Sequence, residues 1–429
     1  MYKFGSLLVN LIISLALAQS IWAGNTATRW VNQAFDAVRA TNTSTPRAGR
    51  VYAMTTVGMY DAVNGIDQAA GNSTREQALV PFSAAPSSGN RNAAAAAAAH
   101  AILLALIPAR QAQLDAALAA ELAPLDDSDG SVTLGRNWGR YVGEQVVAIR
   151  SNDETAVAET QPGGMGPGVF PRPFANAQFR NMQPFGVSTI APYISMGPPA
   201  LSSEQYAIDL NEVKTLGSST DNNPERANIA RHWLAEANTV RETGLWLKAS
   251  LNIVEDQGTV ESLSDTARLF ALLGMATADT VAVSWNSKFH YQFWRPGDAI
   301  RGAGTDQNPM TESDANWLPR GATAASCPFP FNCFGGTPEH TSGTSTFAGA
   351  SAEVLAGFYC TDHIAFSFVG ENGTTRSYRG FKSAAKEAGR SRIYGGIHFE
   401  FSNVAGREAG KSLGKEIMRT RLKAPGYCH

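Results

Sequence analysis

Net charge is almost missing from this sequence. Across 429 residues, 35 lysines and arginines meet 37 aspartates and glutamates, for a formal net charge of −2. With no overall basic excess, nothing in the composition points to nucleic acid or an anionic membrane as partner, so any anion site must be local. Cysteine is scarce at four residues, and no Cys-x-x-Cys or His-x3-His spacing supports a zinc site. The apolar runs fall short of the roughly 20 residues that a membrane-spanning helix needs. Alternation at period two never extends far, which argues against a sheet protein, and no fixed-period repeat is found.

Hydrophobic residues make up 44% of the chain, enough for a substantial core in one large or two ordinary domains. The first residues read Met-Tyr-Lys, then an apolar run over 7–18 broken by Asn10 and Ser14, then small residues at Ala16 and Ala18. That is a secretory pattern. It predicts a signal peptide over residues 1–23, an exported protein, a single helical domain over 24–429 and no stable membrane insertion after cleavage. An oxidising compartment suits the even cysteine set, and of three possible pairings Cys327 with Cys333 across a short Pro/Phe loop is preferred, leaving Cys360 with Cys428.

Helical spacing dominates the rest. Two helices joined by a polar loop fit residues 27–67; 68–90 reads as loop; an Ala-rich helix starts at Asn92; Pro108 opens another with Leu114, Leu118 and Leu122 on one side. A further helix fits 135–149. Residues 151–203 are rich in Pro and Gly with interspersed Phe, and form a long structured loop of the kind that covers a site or an insertion facing solvent. Helices are expected again over 205–216, 228–250 and 262–294, the last apolar on most sides. The whole reads as nearly all α.

Three segments concentrate the candidate chemistry. Residues 336–345 read Gly-Thr-Pro-Glu-His-Thr-Ser-Gly-Thr-Ser and run into a helical pattern, so small and hydroxylated residues stand where a helix begins, either as a plain N-cap or as an anion cradle. Lys288 and Arg295 are seven apart, on the same side of a continuing helix, among Phe289, Tyr291, Phe293 and Trp294. They would snorkel and stack on rings, or face an anion. In the stretch 391–400, Gly395 and Gly396 allow a close turn through which Arg392 and His398 approach one point.

The order and spacing of these segments (Lys, six residues, Arg-Pro; Ser-Gly at a helix start; Ser-Arg, three residues, Gly, one residue, His) resemble the signature of the vanadium-dependent haloperoxidases and the related type 2 phosphatidic acid phosphatases. Residues 40–47 and 59–64, the latter Met-Tyr-Asp-Ala-Val-Asn, are similar to the N-terminal region of bacterial haloperoxidase-like proteins. The resemblance implies an all-α fold of two packed four-helix bundles holding vanadate, with phosphate as the alternative occupant. It also implies that Lys288, Arg295 and Arg392 neutralise the equatorial oxygens, that Ser342 and the Gly343 N–H hydrogen-bond them, and that His398 is the axial ligand or a phosphatase nucleophile. Hydrogen peroxide, halide and a small organic molecule would be the substrates.

Two departures stand out. Thr344 occupies the position of the family's acid/base histidine and cannot titrate near neutral pH, which removes a contribution of roughly 10²- to 10⁴-fold at that position. His340 is the substitute candidate, with Glu339 and His290 behind it. The family carboxylate four residues after the histidine is Ser402, leaving Glu400 or a backbone carbonyl to orient the imidazole. Three functions follow from the resemblance: a haloperoxidase-like enzyme, a phosphomonoesterase working through a phosphohistidine, and a non-redox ligand-binding protein or cofactor-independent enzyme.

Overall fold

The computed structural model describes residues 24–328 and 332–423. The expected signal peptide and Cys428 lie outside them. Among the described residues are thirteen α-helices: α1 (Thr26–Ala40), α2 (Thr45–Ala69), α3 (Arg91–Leu106), α4 (Gln111–Leu122), α5 (Ser131–Ile149), α6 (Glu204–Leu216), α7 (Pro224–His232), α8 (Arg241–Asp256), α9 (Leu263–Tyr291), α10 (Pro296–Gly302), α11 (Gly343–Phe358), α12 (Phe381–Tyr394) and α13 (Glu400–Thr420). Their starts are written in the sequence: the Asn25 side chain accepts the N–H groups of Ala27 and Thr28 at the head of α1, Asn90 accepts from Ala93 at α3, and Ser262 accepts from Asp265 at α9.

Helices α1, α2, α3 and α5 pack as one bundle and α9, α11, α12 and α13 as a second, joined where α2 lies along α9. A continuous hydrophobic cluster runs through both. The two bundles share a packing device. Gly135, Gly139 and Gly143 of α5 face Asn90, Ala94 and Ala98 at α3, and a Cβ at Gly139 would be driven into the Ala94 carbonyl oxygen. In the second bundle Gly406, Gly410 and Gly414 of α13 face Ser342, Thr346 and Ala350 at α11 in the same way. Glycine at every fourth position clears one stripe of a helix, so the two backbones approach closely. Helix α9 is long and apolar enough to cross a membrane by length and composition, but its apolar window is wholly buried in the protein.

The expected all-α bundle fold is found, with three differences of detail. The single helix expected over 228–250 is two, α7 and α8, because Asn238 and Arg241 take left-handed backbone (φ 59° at both). The helix expected to reach Trp294 stops at Tyr291, where Gln292 turns left-handed (φ 47°), so Lys288 and Arg295 do not share one helix. Two short antiparallel pairs, β1 (Thr160–Gln161) with β2 (Phe174–Ala175) and β3 (Phe366–Val369) with β4 (Thr375–Tyr378), were not expected. In the second pair Phe366 and Phe368 face inward, an alternation of only two apolar residues.

The loop over 151–203 packs back on the bundles. Buried Asp279 of α9 accepts the N–H groups of Phe185, Gly186 and Val187 at 2.6, 2.7 and 3.1 Å. Arg172 makes a bidentate pair with Asp298 of α10, both contacts 2.7 Å. Cys327 and Cys333 form the expected disulfide, and Cys360 is also disulfide-bonded.

Candidate oxyanion-binding site

The three segments meet at one end of the second bundle. Lys288 arrives from the last turn of α9, and its Nζ donates to the backbone carbonyls of Pro338 and Glu339, the latter at 3.1 Å. Burial holds its ammonium well below the ordinary lysine range, and Arg295 pushes in the same direction. An ammonium has three N–H donors, so one is left over.

Arg295 precedes Pro296 as the N-cap of α10, and its backbone N–H donates to Asp298 Oδ2 at 3.3 Å. The guanidinium is threaded through the turn before α11. Its Nε donates to the Thr337 carbonyl at 2.7 Å, Nη2 to Thr337 Oγ1 at 2.8 Å, and Nη1 to the Ile397 carbonyl at 2.7 Å and His398 Nε2 at 3.0 Å. Gly335, at φ +107°, lets the chain cross this group, since a Cβ there would sit 2.9 Å from Arg295 Cζ. Of the glycine pair expected to turn the chain before His398, Gly396 takes the left-handed conformation (φ +75°), while Gly395 has ordinary helical backbone (φ −78°).

His398 is buried, with Nε2 on Arg295 and Nδ1 2.8 Å from Glu339 Oε1. An arginine can only donate. Nε2 must therefore accept, the single proton of the neutral imidazole sits on Nδ1, and Glu339 Oε1 accepts it. Burial and the charges of Arg295, Lys288 and Arg392 keep the imidazole well below its usual pKa, so it is neutral at physiological pH. Oε1 of Glu339 also accepts the Phe399 N–H at 3.1 Å. Burial pushes that carboxyl up to about 7, against the pull of Arg295 and Lys288.

Arg392, from the last turn of α12, lies close enough to shift both Lys288 and His398 electrostatically. Its buried Nε has no hydrogen-bond partner among the described residues. Ser342 is the N-cap of α11, and its Oγ accepts from the Ser345 N–H. Ser345 Oγ lies 2.9 Å from both Ser342 Oγ and Asn403 Oδ1. Gly343 opens the helix; a Cβ there would meet only ordinary contacts, the nearest Phe347 at 3.5 Å. Thr344 is buried in the first turn beside these residues. Lys288, Arg295, Arg392 and His398 thus share one locality, and Ser342 and Gly343 follow Glu339 by three and four residues in the chain.

Of the acid/base candidates, His290 is exposed and stacks edge-on with Tyr291. His340 is buried, with Nε2 2.8 Å from the Met196 carbonyl and 3.1 Å from Ser195 Oγ on the long loop. A carbonyl only accepts, so Nε2 carries the proton and the buried Nδ1 keeps a lone pair without a partner among the described residues. Burial lowers its pKa to about 4. Glu400 is not the imidazole's partner: it pairs with Arg390 and accepts from Asn403 Nδ2, at 2.8 and 2.9 Å. No backbone carbonyl fills that role either. Glu339 does, a residue the sequence suggested only as an alternative acid/base, and its one visible signal is an acidic residue set directly into the turn that three cations approach.

The chemistry of these groups, buried basic side chains, a neutral imidazole nitrogen and a helix N-terminus that follows Glu339 in the chain, is of the kind that suits a tetrahedral or trigonal oxyanion. The family model described as the VCPO second helical-bundle domain matches residues 268–424. A stretch of 101 residues is 36% identical to vanadium chloroperoxidase of Curvularia inaequalis, covering 22% of this chain and 15% of that protein. The fold is similar to that of a bacterial vanadium-dependent iodoperoxidase (TM-score 0.73, 21% identity, 92% of this chain and 96% of the other). It is similar also to a holo-type bacterial vanadium-dependent chloroperoxidase (TM-score 0.67, 15% identity, 88% and 93%).

Proposed function

We propose that the chain is an exported haloperoxidase-like enzyme of the vanadium haloperoxidase and type 2 phosphatidic acid phosphatase superfamily that binds vanadate and uses hydrogen peroxide to oxidise halide, a reading supported by the family-model match over residues 268–424 and the similarity to vanadium chloroperoxidase. The observation that carries this reading is the unprotonated Nε2 of His398, presented beside Arg295 in a site shared with Lys288 and Arg392. The buried, unpartnered Nε of Arg392 fits an absent anionic group. Bound vanadate would supply the centre on which peroxide becomes an electrophilic oxidant of halide.

The chain's own residues do the rest. Arg392, the remaining donor of Lys288 and the last free N–H of Arg295 would spread the charge of the oxyanion, and Ser342 Oγ and the Gly343 N–H would hold it at the start of α11. His398 would hold the group through its unprotonated Nε2. His340 offers Nδ1 as a hydrogen-bond acceptor for a peroxide proton, and with its pKa near 4 it acts as an acceptor and not as an acid at neutral pH. Halide and a small organic acceptor complete the reaction. Thr344, which cannot protonate a leaving group, favours as second reading an anion-binding protein without turnover over a phosphomonoesterase.

Vanadate binding by calorimetry, measured beside iodide and bromide oxidation with peroxide and hydrolysis of an aryl phosphate, tests this. The expected result is vanadate-dependent halide oxidation that His398→Ala abolishes. Vanadate binding with no oxidation would leave the binding reading, and aryl phosphate hydrolysis without oxidation would leave the phosphatase.

A further inference from the structure

Nothing in the established resemblance assigns a role to Glu339, yet it touches more of this site than any other acidic group. It reaches His398 and the Phe399 N–H with Oε1, while its own carbonyl receives Lys288 Nζ. It is fully buried and comes from a chain position 59 residues before the imidazole it contacts. Among the described residues its second oxygen, Oε2, has no hydrogen-bond partner meeting ordinary geometry, and neither has the buried Ser402 Oγ, although the two groups lie close enough for Ser402 to lower the Glu339 pKa. Ser402 stands one helical turn after His398, in the first turn of α13.

We propose that Glu339 is the positioning residue of His398, fixing its proton on Nδ1 and its ring plane so that Nε2 faces the oxyanion, and that Ser402 is small so that this carboxylate can enter from the α11 side. The inference rests on the oxyanion-site reading but not on turnover. Before an anion arrives, Arg295 also dictates the tautomer, because its Nη1 donates to Nε2. Once Nε2 is given over to an anion, the Glu339 contact alone keeps the proton on Nδ1. A carboxylate behind a ligating imidazole raises its basicity, and loss of such a partner typically weakens binding roughly 10- to 100-fold. Glu339 is therefore placed to act through His398 without touching substrate.

The ¹⁵N chemical shifts of the histidine rings in the anion-free full-length protein test the tautomer directly, with His398 assigned by its loss in His398→Ala. The expected wild-type spectrum has a protonated Nδ1 and an unprotonated Nε2, and a proton found on Nε2 would overturn the proposal before any variant is made. In Glu339→Leu the Nδ1 proton signal should broaden or move, and affinity for inorganic phosphate and for vanadate should fall at least 10-fold. Glu339→Gln, which keeps the shape and an acceptor oxygen, should retain the tautomer with a smaller loss of affinity. Ser402→Asp in the Glu339→Leu background should restore both readouts by returning a carboxylate to the same space. If Glu339→Leu folds with His398 shifts and phosphate affinity within twofold of wild type, or if Ser402→Asp restores nothing, Glu339 is only a structural residue. Because the shifts are read without an anion or peroxide, they stand whether or not the protein oxidises halide.

Discussion

At the residue scale the proposed site divides into residues assigned to anion binding and residues assigned to proton handling. That Lys288, Arg295, Arg392 and His398 come close together was legible in the sequence because the spacings are short and the residue types few. Glu339 was not legible as the imidazole's partner, since a contact spanning 59 residues leaves no local pattern, and burial alone decides that the carboxylate turns inward. Thr344 stands where the resemblance leads one to expect an acid/base histidine. Thr344→His would place an ionisable ring in the first turn of α11, and halide oxidation at neutral pH should rise, by at most the roughly 10²- to 10⁴-fold that general acid/base catalysis contributes. Steady-state kinetics against peroxide check this, and an unchanged kcat would assign proton transfer elsewhere, with His340 the nearest candidate.

At the element scale, helix positions followed from apolar spacing and caps, whereas the helix breaks did not. Asn238, Arg241 and Gln292 adopt left-handed backbone without glycine or proline to announce it, because tertiary contacts such as Arg241 Nε on the Thr43 carbonyl at 2.7 Å hold them there. The break at Gln292 matters most, since it turns Arg295 out of the helix line and into the turn before α11. Residues 185–187 of the long loop are held by one residue of α9: Asp279 takes three backbone N–H groups, and Arg150 stacks on the Phe185 ring 3.7 Å away. Asp279→Ala should destabilise the fold by on the order of 3 kcal/mol, as buried donors lose a charged acceptor. Hydrogen exchange at Phe185, Gly186 and Val187 should speed up first, which distinguishes release of the loop from global unfolding.

At the scale of the whole molecule, the second bundle and the segments leading into α10, α11 and α13 supply the charged residues of the site, and the first bundle buttresses α9 through α2. Three buried cations meet at one locality with Glu339 as the buried carboxylate among them. An oxyanion that binds only the folded state should therefore raise the melting temperature, by an amount corresponding to about 2.7 kcal/mol at a hundredfold excess over Kd. Scanning calorimetry with and without phosphate or vanadate measures it, and the shift should vanish in Arg392→Ala. Acid should weaken the protein by a separate route. The folded-state pKa of His340 lies near 4, below its unfolded value of about 6.5, so the unfolded chain binds the extra proton across that window and stability falls as pH drops through it. The crowding of positive charge also bears on how the chain matures. Like charges must be brought together in the last stages of collapse, when water is already leaving, so an anion present in the medium would act as a template for closure. Refolding from denaturant should then be faster and more complete in phosphate than in a buffer without multivalent anions.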